Sequence, residues 1–145
     1  MMVSKKGFYA GRVMLCIARR PSSELISKTE IAKEAEITST YICRILSLLK
    51  NAGLVLGQRG IYGGYRLARL AGDITMYDII IAAEGNLDVV GPLDHCSRCA
   101  QPCMRKLWCG ASRILRDYYS SITLDQLLQE QSVLTDEEYP SFKTL

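Results

Sequence analysis

Residues 27–68 read SKTEIAKEAEITSTYICRILSLLKNAGLVLGQRGIYGGYRLA, and the order of elements in this stretch decides the fold. Ser27, with Glu30 three residues later, has the form of a capping box, in which each side chain bonds the other residue's backbone N–H. A short helix is therefore expected from Thr29 to Ala35. Ile37 and Thr38 make a tight turn, and Thr38 or Ser39 caps the next helix. There Ile42, Ile45, Leu46 and Leu49 stand at i, i+3, i+4 and i+7, which is one apolar face, and Asn51 and Gly53 end it. Leu54–Gly57 and Tyr65–Ala68 are short extended runs. The Gly-rich GQRGIYGG between them reads as the mobile tip of a β-hairpin. Upstream, Tyr9, Val13, Cys16 and Ile17 mark a helix over residues 8–19, broken by Arg20, Pro21, Ser22 and Ser23. Helix, short helix, tight turn, helix and two-stranded hairpin is the order of a winged helix-turn-helix. In such a domain the helix after the turn enters the major groove of DNA, and the hairpin touches the backbone or the minor groove.

Charge points the same way. Residues 1–70 hold 12 Lys/Arg and 4 Asp/Glu, a surplus of +8, whereas residues 71–145 hold 6 and 11, or −5. A basic half joined to an acidic one suits a phosphate-binding module attached to something else. With the apolar face of the helix after the turn inward, Ser39, Thr40, Tyr41, Cys43 and Arg44 face outward near its start. Hydroxyls and a guanidinium suit phosphate oxygens and guanine edges. Arg59, with Tyr62 beside it at the hairpin tip, is placed to reach a narrow minor groove. The chain has 145 residues, 48% hydrophobic and 23% charged, which is ordinary for a globular protein. No apolar run approaches the ~20 residues that cross a bilayer. Gly11 and Arg12 interrupt the N-terminal apolar stretch and no cleavage site follows, so a cytoplasmic protein without a membrane role is expected. No nucleophile–base constellation or phosphate loop suggests an enzyme.

The fold class expected is mainly α with a small β-hairpin wing and a long dimerisation helix. Thr75 caps a helix from Met76 to Ala83, and residues 1–84 form the DNA-binding domain. Residues 85–103, rich in Gly, Pro and Cys, form a sensor loop. Over 104–122, Leu107, Ala111, Ile114, Leu115, Tyr118 and Ile122 share one face of a helix of about five turns. A helix-turn-helix monomer reads only a half-site, so a homodimer formed through that face, on a palindromic site, is expected. ITLDQLL makes a last short helix ending near residue 131, and residues 132–145 a flexible acidic tail.

Five stretches carry a resemblance. SKKGFYAGRVMLCIA, ISKTEIAKEAEITSTYICRILSLLKNAGLV, RGIYGGYRLAR, CMRKLW and ITLDQLL are similar to the Rrf2-type family of bacterial transcription regulators over about residues 3–130. The resemblance implies a winged-helix homodimer, a long helix that crosses to the partner subunit, and pseudo-palindromic operators in double-stranded DNA. It places Thr40, Tyr41 and Arg44 at recognition-helix positions that contact DNA, and Arg59 at the minor-groove arginine of the wing. Cys43 stands where one member has a specificity-setting acidic residue.

Six cysteines are unevenly spread. Cys16 reads as a core thiol and Cys43 as a half-buried helix residue. The others form His95-Cys96-x2-Cys99-x3-Cys103-x5-Cys109. Zinc sites usually pair two C-x2-C knuckles a dozen or more residues apart, and short unequal gaps are more like iron–sulfur ligation. The family resemblance implies a two-iron or four-iron cluster on three cysteines of this loop plus one non-cysteine ligand. One relative takes an acidic residue from the partner's first helix, where this chain has Phe8. Another takes a histidine after the last cysteine, where this chain has Met104, Arg105 and Lys106. The fourth ligand here is therefore expected to be local: Cys109, with His95 as substitute. Pro102 is expected to keep the approach to Cys103 extended. Two alternatives are a thiol–disulfide switch, with Arg98 and Arg105 nearby to favour thiolates, and a structural zinc site. Loss or oxidation of a cluster would shift the spacing of the two recognition helices, which must match the half-sites.

Overall fold

The computed structural model describes residues 3–89 and 101–133. Six helices and one hairpin follow in the order α1 (Lys5–Ala18), α2 (Lys28–Ala35), α3 (Ser39–Asn51), β1 (Val55–Gln58), β2 (Gly64–Leu67), a 3₁₀ turn (Ala71–Asp73), α4 (Met76–Glu84), α5 (Pro102–Ser121) and α6 (Leu124–Val133). The winged helix-turn-helix is therefore present, with boundaries within a few residues of those expected. The capping box at Ser27 and Glu30 is formed, and a second one joins Thr75 and Asp78 at the start of α4. In the first box the Ser27 hydroxyl and backbone N–H hold the Glu30 carboxyl below the usual carboxylate range. α2 ends at Glu36 in the left-handed conformation, φ 55°, and Arg12 of α1 pairs with its carboxylate at 3.1 Å.

One core serves α1 to α4 and the hairpin base. Met14, Ile31, Ile42, Ile45, Ile74 and Ile79 are all fully enclosed in it, and no polar side chain is buried among the described residues. Cys16 is part of this core, as expected, and burial, followed by the charge of Glu34, pushes its thiol pKa up. Glu84, in the last turn of α4, reaches the start of α1. Its carboxylate accepts N–H bonds from Ser4 (3.0 Å) and Gly7 (2.9 Å) and the Ser4 hydroxyl, and it pairs with Lys6. Burial disfavours its charge, but these donors outweigh it and hold the carboxyl below its ordinary range.

β1 and β2 pair antiparallel, with Val55 opposite Leu67 and Gln58 opposite Gly64. Ile26 and Tyr65 exchange both backbone hydrogen bonds, at 3.0 and 2.8 Å, so the chain before α2 lies against the wing. Gly64 makes that approach possible, since a Cβ there would sit 2.6 Å from the Ile26 carbonyl oxygen.

α5 begins at Pro102, earlier than expected. Pro102 does not hold an extended approach; it occupies the first helical position, where its missing N–H costs nothing and its fixed φ suits the helix. Cys103 is therefore helical. At the other end, the Met76 N–H donates to the Ile122 carbonyl and the Leu124 N–H to the Ile74 carbonyl, both at 2.8 Å. This clasp returns the chain to the core, where α6 buries Leu124. α5 itself buries no residue. Leu107, Ile114 and Tyr118 are exposed, Ile114 by 68%, while Ala111, Leu115 and Ile122 are half-buried. The expected face thus splits into an open edge and an edge turned to its own domain. No helix among the described residues is long and apolar enough to cross a membrane. Residues 90–100 and those beyond Val133, where most of the sensor loop and the flexible end were expected, lie outside the described residues.

Candidate nucleic-acid interface

α3 buries Ile42, Ile45, Leu46 and Leu49 and turns its other face outward. Ser39, Thr40, Cys43 and Arg44 are exposed there. Cys43 was expected to be half-buried; one residue past Ile42 it has rotated about 100° off the apolar face and stands in the open. Tyr41 departs the other way. It is half-buried, with its ring edge-on to Tyr9 of α1 at 5.6 Å, and Tyr9 meets Phe8 in the same fashion. An aromatic row thus runs from the outer face of α1 to the first turn of α3. That first turn carries no acidic residue and no side-chain cap; the Tyr41 and Ile42 N–H groups donate to the Thr38 carbonyl, which leaves those of Ser39 and Thr40 for an anion.

The wing tip presents Arg59 and Tyr62, both exposed as expected. A turn closes from the Gly63 N–H to the Gly60 carbonyl at 3.0 Å. Gly63 is boxed in by backbone, and a Cβ there would collide with the Gln58 carbonyl oxygen.

Ion pairs account for part of the basic surplus: Arg12 with Glu36, Arg20 with Glu34 at 2.7 Å, Lys6 with Glu84, and Arg69 with Asp78 at 3.9 Å. None of these cations lies on α3 or the hairpin. From Ile37 to Leu70 the chain has no Asp or Glu and five Lys or Arg: Arg44, Lys50, Arg59, Arg66 and Arg69. Lys50 and Arg66 were not expected among the site residues. The acid-free run was the signal that could have found them. Both are exposed, Lys50 at the end of α3 and Arg66 on β2. A contiguous helix-and-hairpin surface with cations and no carboxylate is suited to a phosphate backbone.

The sulfur site is only partly in view. His95, Cys96 and Cys99 lie outside the described residues. Cys103 and Cys109 are both exposed on α5. Six residues apart on one helix, they are separated by about 9 Å of rise and about a third of a turn. Cys103 opens onto a shallow groove with Leu107, Gly110 and Ile114, and Cys109 onto another with Pro102 and Arg105, on either side of Lys106. The helix does not bring the two together. Val89, the last described residue before the cysteine-rich segment, donates its N–H to the Ser112 hydroxyl at 3.0 Å, which places it beside the middle of α5.

Residues 3–130 match the family model Rrf2, an iron-dependent transcriptional regulator. The chain is 33% identical over 127 residues to the HTH-type transcriptional regulator CymR of Bacillus subtilis, covering 88% of this chain and 89% of that one. It is 31% identical over 137 residues to the regulator IscR of Vibrio atlanticus, covering 92% and 79%. The solved structure of CymR, the global cysteine regulator of B. subtilis, superposes with a TM-score of 0.77 at 32% identity, over 90% of this chain and 98% of that one. With an exposed recognition helix, a basic wing and matches along almost its whole length, the chain belongs to the Rrf2 family of DNA-binding transcriptional regulators and is not an enzyme.

Proposed function

We propose that this regulator acts as a homodimer on a pseudo-palindromic operator, and that an iron–sulfur cluster on the cysteine-rich segment sets its affinity. The observation that carries the reading is the placement of Cys103 in the first turn of α5, the helix whose apolar edge is open. A change at Cys103 is felt at the start of the element that spaces the two recognition helices. Leu107, Ile114 and Tyr118, with Ala111, Leu115 and Ile122 along the inner edge, supply the dimer face. Ser39, Thr40, Tyr41, Cys43 and Arg44 read the major groove, and Arg59 and Tyr62 touch the minor groove or its walls.

The donor chemistry fits the cofactor in part. Thiolates are the ligands of such clusters, and exposed Cys103 is free to join Cys96 and Cys99. Cys109 opens on another flank of α5, so the fourth position falls to Cys109 or His95. The cluster would supply a centre that oxygen, nitric oxide or iron shortage can alter. The chain's own residues hold it against α5 and carry its loss to the dimer.

The test is protein purified without oxygen, with an absorption spectrum from about 300 to 700 nm and iron, zinc and acid-labile sulfide assayed on the same sample. The expected result is a brown protein with near-equal iron and sulfide, lost in Cys96→Ala, Cys99→Ala and Cys103→Ala. Loss in Cys109→Ala as well makes that thiol the fourth ligand; retention gives the place to His95. Stoichiometric zinc without colour would turn the loop into a structural site.

A second reading is a thiol–disulfide regulator without a cluster. Both described thiols of the segment, Cys103 and Cys109, are exposed to an oxidant, and on different flanks of α5 each would pair with another cysteine. The likeness to a global cysteine regulator favours it too. Colourless, metal-free protein that resists reconstitution is its signature.

A further inference from the structure

We propose that Ile61 and Tyr62, at the apex of the wing, form an apolar wedge that enters the DNA minor groove and partly unstacks a base step. This deepens the DNA-binding reading above and rests on it. Ile61 is 97% exposed and Tyr62 91%, more than any other large hydrophobic residue described. Single exposed apolar residues are common on protein surfaces; two adjacent ones, almost wholly in water at the farthest point of a hairpin, are not.

Turn chemistry does not account for them. They are the two central residues of the turn closed by Gly63 and Gly60. Neither has a positive φ, so no special backbone conformation is served there. Such positions usually go to Pro, Asn, Asp, Ser or Gly. A β-branched residue and a phenol contribute nothing to this turn that those residues would not.

The tip is also built to keep its shape. Gly63 is enclosed by the carbonyl oxygens of Gln58 and Gly60, and Gly64 by that of Ile26. A wedge needs this stiffness, because a side chain pressed between bases must not fold back along its own strand.

Charge decides the occupant. Arg59 lies two residues from Ile61, and no carboxylate occurs between Ile37 and Leu70. A second copy would bring the same positive surface against this one and be repelled. A duplex brings phosphates to Arg59 and Arg66 and a groove to the apex. Proteins that read the minor groove often press Ile, Leu, Phe or Met between base steps and kink the duplex. Pyrimidine–purine steps, TA and CA, yield most easily. The wedge therefore adds sequence preference at a step that no hydrogen bond reads.

The test starts from the full chain and a randomised duplex pool. Rounds of selection yield a bound duplex, and its adenines outside the half-site centres are replaced one at a time by 2-aminopurine, which brightens on unstacking. Wild-type protein is expected to brighten one position on each flank, with TA or CA enriched there. Ile61→Ala should abolish the brightening and weaken binding about tenfold. Tyr62→Ala should reduce both, and both variants should keep the wild-type circular dichroism and melting temperature because the side chains touch nothing in the monomer. Tight wild-type binding with no brightening at any position would overturn the wedge and leave DNA binding intact. So would an Ile61→Ala/Tyr62→Ala double variant that binds and brightens like wild type. Failure to enrich any duplex would overturn the DNA-binding reading itself.

Discussion

α3 and α5 are both amphipathic helices, and they end in opposite states. α3, 13 residues long, hides Ile42, Ile45, Leu46 and Leu49 entirely. α5, at 20 residues, hides none, and its most apolar edge, at Leu107, Ile114 and Tyr118, faces water. The stripe on α3 is satisfied by α1, α2 and α4 of its own chain, and its polar face is left for a ligand. The stripe on α5 is the part left over. An apolar stripe on a helix says that something must cover it and not what does; the difference between these two helices is the difference between a stripe the chain covers itself and one it leaves open.

The largest effect should come from breaking the satisfied helix. Ile45→Ala opens a hole among fully buried side chains and should cost about 2–5 kcal/mol of unfolding free energy, measured by urea titration. The matching change on the open helix should leave the fold alone. Ile114→Asp is expected to keep the wild-type helical circular dichroism while sedimentation shifts from dimer to monomer, and affinity for a two-half-site duplex should fall more than about tenfold. If Ile114→Asp unfolds the chain instead, α5 belongs to the core and the contrast fails.

A smaller effect sharpens the boundary between the two regions. Glu84 closes α4 and holds the N-terminus of α1. Its carboxyl titrates below the ordinary range in the folded state, so it contributes stability that is present above the unfolded carboxylate pKa and is lost as pH falls through the folded pKa. Glu84→Gln should cost about 1–3 kcal/mol near neutral pH. The gap between wild type and variant should narrow as urea midpoints are followed into acid, below the ordinary carboxylate range. A gap that persists in acid would mean that the carboxylate's charge is not what anchors α1.

Much of the fold was legible because its signals are local. Ser27 and Glu30 are three residues apart, Ile42 to Leu49 lie in one register, and the hairpin is bracketed by glycines. Where the reading went astray, the deciding fact lay outside the window. Tyr41 faces outward by register, yet Tyr9, from a helix far away in the chain, packs on its ring. Pro102 has the same chemistry as a helix breaker and as a helix starter, and only the course of the chain after it separates the two. Lys50 and Arg66 were passed over because each is unremarkable alone; the 34 residues from Ile37 to Leu70 without a carboxylate are what distinguish them. In the sulfur site, Cys103 reads as the end of a loop, and only the start of α5 at Pro102 sets it on the same helix as Cys109, on a different flank.

The clasp between Ile74–Met76 and Ile122–Leu124 has a consequence for how such a protein can change over generations. The chain leaves the core through α4 and returns at one fixed seam, and between Gly85 and Ser121 only Leu87 is buried among the described residues. Lengthening a flexible connection costs little, about 0.6 kcal/mol for each doubling, so residues can be gained or lost between the end of α4 and the start of α5 without disturbing the wing. That connection is the exchangeable part in a constant socket: new sulfur spacings can be tried there by descendants of one chain while the DNA-reading half is inherited intact.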